Sequence, residues 1–128
     1  MNFQAPPDPP HAIAAAASIV NLAAALASRC GAPAGAAALA DPRIRDAIAA
    51  ARSIVLVVLD GFGERQLHDH AAGGALADCR LATLSSVFPS STAPAMTSFA
   101  SALLPAVHGN PGWFVWSQAQ QCIVRSLP

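Results

Sequence analysis

The chain of 128 residues predicts an α/β protein with a layered, mostly parallel sheet. The first observation is the apolar run at residues 54–59, which is rich in β-branched side chains and typical of a strand buried on both faces. The second is the helical spacing of apolar residues on either side of this run. The predicted order is helix, helix, strand, helix, strand, helix, which is that of an α/β layered fold.

Residues 12–29 predict the first helix, with Ile19, Leu22 and Leu26 on one face. Gly31 and Pro33 end this helix. No Lys or Arg precedes the segment, so the positive region of a signal peptide is missing. We therefore expect a water-soluble, cytoplasmic protein without stable membrane insertion, and a signal or membrane anchor is the alternative. The more polar face of the helix carries Ser18, Asn21, Ala25 and Arg29.

The second helix is predicted to run from Pro42 to about Ala51, with Asp41 as its N-cap and Pro42 at its first position. Ile44 and Ile48 form its inner stripe. After the buried strand, residues 64–77 indicate a surface helix or loop that Gly73 and Gly74 interrupt.

Residues 81–88 predict a second, weaker strand that ends at Pro89. Pro94 is expected to open a further helix, and Pro105 to stop it. Residues 113–116 and 122–124 are predicted to pair as a hairpin. The apolar residues of the helix after Pro94 recur at helical spacing, at Met96, Phe99, Ala100 and Leu103.

Charge and cysteine content exclude several classes of function. The formal net charge is zero and only 11% of residues are charged, so the chain lacks the basic surface by which a protein binds a nucleic-acid polymer. The three cysteines are an odd number and lie far apart in the sequence. This predicts neither a disulfide framework nor a zinc knuckle, and it favours a reducing compartment.

Asp60 is the first candidate site residue, because it directly follows the predicted buried strand. In open α/β sheets the carboxyl ends of the strands border the ligand crevice. A carboxylate there can bind a divalent metal, and Gly61 and Gly63 allow the backbone to turn sharply. The alternative is that Asp60 only caps a turn or the next helix.

Thr92 is the second candidate, because it lies between a predicted strand and the start of a helix. Free backbone N–H groups at a helix N-terminus favour a bound phosphate, and a hydroxyl there can attack phosphorus if a base or metal activates it. The alternative is an ordinary N-cap threonine. Ser90 and Ser91 compete for the same role.

Histidines supply weaker candidates. His108 could bind a metal or phosphate, but a loop histidine bonded to the backbone is the expected alternative. His68 and His70 flank Asp69 and could suggest a metal site. The side chains of two histidines separated by one residue would point the same way only on a strand. A solvated surface stretch is the preferred interpretation of these three residues.

Three segments together resemble the N-terminal part of the alkaline phosphatase superfamily, in its type I phosphodiesterase/nucleotide pyrophosphatase branch. The family pattern is a hydrophobic strand ending in Asp-Gly, then Phe-Pro-x-x-Thr-x-Pro, then Pro-x-x-His-Gly. This chain has these pieces in order at residues 56–63, 87–98 and 104–109. The resemblance covers about residues 52–117.

The resemblance implies metal-dependent hydrolysis of phosphoric esters at the edge of an α/β sheet. Asp60 matches a metal ligand of the family, and Thr92 matches the nucleophile, which also contacts a metal. The implied cofactor is a pair of divalent ions, usually Zn²⁺, and the implied partner is a small phosphorylated substrate. Substrate-binding residues are not assigned, and monoester, diester, pyrophosphate and phosphonate hydrolases share these motifs.

We divide the chain into an irregular lead-in at 1–11, a helical segment at 12–51 and the N-terminal part of a phosphodiesterase-like α/β domain at 52–128. Family domains are longer and carry further Asp and His ligands. We therefore expect this chain to be an N-terminal portion that is inactive in isolation. The alternatives are a truncated, non-catalytic relic and a small interaction protein that docks through Trp113, Phe114 and Trp116. The oligomeric state is left open.

Overall fold

The computed structural model describes residues 17–33 and 36–126. The predicted lead-in at 1–11 and the first part of the predicted first helix, at 12–16, lie outside the described residues. The described elements are α1 (Ile19–Arg29), α2 (Pro42–Ala50), α3 (Glu64–Ala71), α4 (Ala75–Asp78), α5 (Thr92–Ser101), α6 (Pro105–His108), β1 (Phe114–Ser117) and β2 (Cys122–Arg125).

A buried capping box begins α1. The Ser18 hydroxyl accepts from the backbone N–H of Asn21, and the Asn21 side chain accepts from the backbone N–H of Ser18 at 3.0 Å. Asn21 also donates from Nδ2 to the carbonyl of Ala37 at 2.9 Å, which ties the following loop to the helix. Ser18 and Asn21 are only 1% and 7% exposed, so this end of the more polar face is buried. Paired with each other and with the backbone, they are buried without leaving a polar group unsatisfied.

The helices of the described part are short. None of them is long and apolar enough to cross a membrane. The predicted second helix is confirmed as α2, with Asp41 accepting a hydrogen bond from the backbone N–H of Arg43 at 2.9 Å. The predicted interruption at Gly73 and Gly74 is also confirmed, since it separates α3 from α4.

Residues 54–59 do not form the predicted buried strand. Their side chains are exposed, and their backbone groups make no hydrogen bond to the backbone of another described residue. Exposure alternates with the two-residue period of an extended chain, between 38% at Ile54 and 86% at Val55. Apolar composition favours a strand, but a hydrogen-bonded ladder also needs a neighbouring strand. No strand in the described ranges lies beside residues 54–59.

The predicted second strand at 81–88 is reduced to one bridge. Ser85 pairs in parallel with Ser18, through hydrogen bonds of 3.0 Å from Ile19 N to Ser85 O and from Ser85 N to Ala17 O. The predicted hairpin is confirmed, since β1 and β2 pair antiparallel with Phe114 opposite Arg125. The described chain is thus a mixed helical and β protein, but its one sheet is a two-stranded antiparallel one and not the predicted parallel sheet.

A small core lies where α1 packs against α5. Ala23 and Ala24 of α1 and Ala102 after α5 form its buried cluster, and Phe99 of α5 packs on it. Alanine allows the two helix backbones to approach closely, but it removes little apolar area from water. Pro105 begins α6 and does not end the preceding helix, because α5 already ends at Ser101, followed by the left-handed Ala102.

Candidate functional site

Asp60 and Thr92 are in direct contact, although 32 residues separate them in the sequence. The Oγ1 hydroxyl of Thr92 donates a hydrogen bond of 3.0 Å to Oδ2 of Asp60; Asp60 is exposed to solvent and Thr92 is half-buried. The extended segment 54–59 leads into the turn that carries Asp60, and α5 carries Thr92 as its first residue. The two residues that the sequence selects as candidates are therefore neighbours in the structure.

The turn after Asp60 depends on glycine. Gly61 has φ +68°, which places it in the left-handed region that other residues rarely adopt. Gly63 precedes α3, and its backbone N–H donates to Oε1 of Gln66 at 3.1 Å. This turn directs the chain away from Asp60 at once and leaves the carboxylate facing Thr92.

The N-terminus of α5 is free of a side-chain cap in the described structure. Ser91 is the N-cap residue, but its side chain makes no capping hydrogen bond. The interpretation of Thr92 as an ordinary N-cap is wrong, because Thr92 is the first helical residue and its hydroxyl donates to Asp60. The N–H group of Thr92 has no partner within the helix and can donate to an anion in the cavity that Thr92 lines, whereas Ala93 is fully buried.

A cavity of about 730 Å³ opens beside this contact. Ser90, Ser91 and Gln66 add polar groups to its lining, so both serines that compete with Thr92 face the same space. Four hydroxyl residues line the cavity: Ser86, Ser90, Ser91 and Thr92. Of these, only Thr92 donates a hydrogen bond to a carboxylate within the described structure. This singles out Thr92 as the hydroxyl with a proton acceptor in place.

His108 belongs to a separate polar network, whose residues do not line the cavity beside Thr92. Its Nδ1 accepts from the backbone N–H of Asn110 at 3.1 Å, which matches the backbone-bonded alternative. The neutral ring then carries its hydrogen on Nε2, which lies 3.1 Å from Oγ of the fully buried Ser98. Asn110 also donates from Nδ2 to Oγ1 of Thr97 at 2.7 Å. Sequence reasoning missed Thr97 and Ser98, because nothing in their local sequence pattern indicates that they contact Asn110 and His108.

His68, Asp69 and His70 lie on α3 and not on a strand. The His68 side chain is 83% exposed and contacts only the neighbouring Asp69, with Nδ1 3.0 Å from Oδ1. The solvated-surface interpretation of this stretch agrees with that exposure. Within the described ranges, no three His, Cys, Asp or Glu side chains form a group that could hold a metal ion.

The zinc pair that the resemblance implies would need metal-binding atoms from the side chains at this site. Asp60 and Thr92 supply two oxygen atoms that could bind a metal, Oδ2 and Oγ1, which lie 3.0 Å apart. A catalytic zinc typically takes three protein ligands, and a pair of zinc ions needs more. The described residues therefore do not complete the implied site.

Comparison with known proteins gave no match. No family model fits the chain, and no curated protein or solved structure matches it. The resemblance to the alkaline phosphatase superfamily therefore rests on its three motifs and stays a prediction.

Proposed function

We propose that this chain carries the nucleophile of a phosphoric-ester hydrolase. One observation carries the proposal: the hydroxyl of Thr92 donates to the carboxylate of Asp60 at the uncapped N-terminus of a ten-residue helix. A hydroxyl nucleophile needs a proton acceptor, and a phosphate needs donors. The contact with Asp60 supplies the proton acceptor, and the N–H group of Thr92 supplies a donor to the phosphate.

The reaction proceeds in two steps. Oγ1 of Thr92 attacks phosphorus while its proton passes to Asp60. The bond from phosphorus to the ester oxygen breaks on the opposite side of phosphorus, and that oxygen takes a proton from solvent and leaves as an alcohol. Water then attacks the phosphothreonine from that side and gives up a proton to solvent, while Asp60 returns its proton to Oγ1 of Thr92 as the bond from Thr92 to phosphorus breaks. The N–H group of Thr92 at the start of α5 stabilises the charge on the phosphate oxygens in both steps.

The finer fold, an alkaline-phosphatase-like layer with a mostly parallel sheet, belongs to the same proposal. The parallel bridge between Ser18 and Ser85 supports it, because a parallel pairing requires a crossover of the kind that α/β layers contain. The extended, apolar residues 54–59 add support, because they have the composition of a parallel strand.

Phosphothreonine trapping tests the proposed function. The full-length protein is incubated with bis(4-nitrophenyl) phosphate, nitrophenol release is followed, and the labelled peptide is located by mass spectrometry. We expect phosphate on Thr92, and a fall in turnover of roughly a thousandfold or more in Thr92→Ala, because the nucleophile is lost. Thr92→Ser keeps a hydroxyl and should retain labelling.

Thr83→Ala is the matched control, since Thr83 is exposed and does not line the cavity beside Thr92. It should turn over substrate at the unaltered rate. If Thr92→Ala also leaves turnover at the unaltered rate, Thr92 is not the nucleophile.

A further inference from the structure

A second cavity lies between α1 and α2. Its volume is about 360 Å³, and it shares no lining residue with the cavity beside Thr92. Each of the two helices turns one face to it, because residues three or four positions apart lie on the same side of a helix. Residues 36–39 of the connecting loop form a third side. The lining residues of the helices are Ala24, Ala25, Ser28 and Arg29 on α1, and Arg45, Ile48 and Ala49 on α2.

The inner surface of this cavity is apolar and held in place. Ala24 and Leu39 are only 4% and 1% exposed, so these two members of the lining belong to the buried part of the fold. Nδ2 of Asn21 donates to the carbonyl of Ala37 at 2.9 Å, which holds the loop against α1. The small alanine side chains around the cavity leave its space open. A preformed apolar cavity of this kind needs little ordering when a ligand enters.

The charges of the lining are all of one sign. Arg29 and Arg45 are its only charged members among the described residues. Nη2 of Arg29 donates to the carbonyl of Ala51 at 3.0 Å, so its guanidinium reaches from the end of α1 to the end of α2. Arg45 is exposed and makes no ion pair within the described ranges.

This pair of arginines selects the charge of the ligand. Two cations at one cavity repel each other, and an anion bound by both removes that repulsion. A carboxylate suits them, because a guanidinium offers parallel N–H donors at the spacing of the two carboxylate oxygens. The hydrogen bond to Ala51 occupies one N–H group of Arg29 and leaves others to donate.

The volume of the cavity limits the size of the ligand. Cavities that bind small molecules begin at about 300 Å³. At about 30 Å³ for each water-sized group, a cavity of about 360 Å³ holds roughly a dozen such groups. A linear carboxylic acid of about eight carbons has this size.

We propose that the cavity between α1 and α2 binds a small amphipathic carboxylate. Its apolar chain lies among the alanines of the two helices and the loop, and its carboxylate contacts Arg29 and Arg45. The inference goes beyond the proposed function and uses neither Asp60 nor Thr92.

Three small molecules test this site: octanoate, the uncharged octanol and the shorter butyrate. Each is titrated into the full-length protein, and affinity and position are read from the amide NMR shifts of Ala38 and Ala49. We expect octanoate to bind about tenfold more tightly than octanol, because octanol makes no charge-assisted hydrogen bond to an arginine. Octanoate should exceed butyrate by at least about tenfold, because butyrate buries less apolar area.

Two variants separate the charge from the apolar cavity. Arg45→Gln keeps much of the side-chain stem but removes the charge, so octanoate should bind about tenfold more weakly while octanol binds as before. Ala49→Leu fills part of the cavity and should weaken both ligands. Arg65→Gln is the matched control, because it removes the same charge from an exposed position on α3 that does not line the cavity.

The site is overturned if octanoate leaves the amide shifts of Ala38 and Ala49 unaltered. Equal affinities for octanoate and octanol would also contradict it, since the arginines would then contribute nothing. An equal loss of octanoate binding in Arg45→Gln and Arg65→Gln would show that net charge, and not this cavity, attracts the anion. None of these results bears on phosphothreonine formation at Thr92, so the proposed function is tested separately.

Discussion

The contrast between Asp60 and Asp41 shows how a partner determines what a carboxylate does. Asp60 accepts from a hydroxyl that can act as a nucleophile. Asp41 accepts from Arg43, both from the backbone N–H at 2.9 Å and from the guanidinium, with Nη2 2.7 Å from Oδ2. The side-chain hydrogen bond from Arg43 is the main reason that the pKa of Asp41 lies below its ordinary value, and loss of hydration acts in the opposite direction.

The lowered pKa of Asp41 predicts a pH dependence of folding. Because this pKa is lower in the folded than in the unfolded chain, its stabilising effect is fully present above the ordinary value for Asp, near pH 4. The effect is lost as the pH falls through the lowered, folded value. Asp41→Asn keeps an N-cap acceptor but removes the charge, so its free energy of unfolding should fall less steeply than that of the wild type below about pH 4.

Urea unfolding at a series of pH values measures this difference. Asp46→Asn is the matched control, because it removes a charge from the same helix. Asp46 itself makes no ion pair with Arg43 in the described structure. Identical pH profiles for the two variants would show that the contact between Asp41 and Arg43 does not stabilise the fold.

Helix α5 connects the candidate site to the rest of the described chain. Its first residue is Thr92, its middle packs on α1, and its buried Ser98 contacts His108 at the end of α6. The sequence predicted this helix from its apolar spacing, but it did not predict that polar residues on the same helix hold α6 and the loop after it. Those contacts hold α6 and Asn110 against the second half of α5.

Ser98→Ala should therefore destabilise the fold. It leaves Nε2 of His108 without its acceptor in a partly buried place, at a cost of about 1–3 kcal/mol. Ser101→Ala is the matched control, because it makes the same change on an exposed part of the same helix and should stay within about 0.5 kcal/mol of the wild type. Chemical denaturation of both variants gives the comparison, and equal free energies of unfolding would contradict a stabilising role for the contact with His108.

The described molecule exposes more apolar surface than its small core buries. Val20, Leu39 and Val87 are its buried branched aliphatic residues, and the other buried hydrophobic residues in the described ranges are alanines. The extended segment 54–59 and the aromatic side chains of the hairpin remain exposed. Trp113, Phe114 and Trp116 are thus accessible, as the docking alternative requires, and docking itself stays a prediction.

Self-association through residues 54–59 is the expected consequence, because an unpaired apolar strand with free backbone groups can pair with another chain. Val57→Lys should weaken this association about tenfold, since burial of one valine contributes about 1.5 kcal/mol. Leu76→Lys adds the same charge on α4 and should leave association nearly unaltered. Sedimentation velocity over a range of concentrations measures both, and an equal reduction by the two variants would point to net charge as the cause.

The sequence by itself determined the features that depend on near neighbours along the chain. Asp41 and Pro42 start α2, the two glycines separate α3 from α4, and the chain turns back between β1 and β2. The choice of Asp60 and Thr92 also came from local patterns. The start of α2, the break between α3 and α4 and the hairpin are confirmed because caps, turns and helical periods involve residues within a few positions of one another, whereas the roles of Asp60 and Thr92 stay predictions.

Only the tertiary structure decided which distant residues meet. It placed the hydroxyl of Thr92 on the carboxylate of Asp60, buried Ser18 and Asn21, and left residues 54–59 without a neighbouring strand. The physical reason is the same in each case. Whether a polar group is buried, a strand is paired or a nucleophile has a proton acceptor depends on partners that lie far away in the sequence, and local composition does not specify those partners.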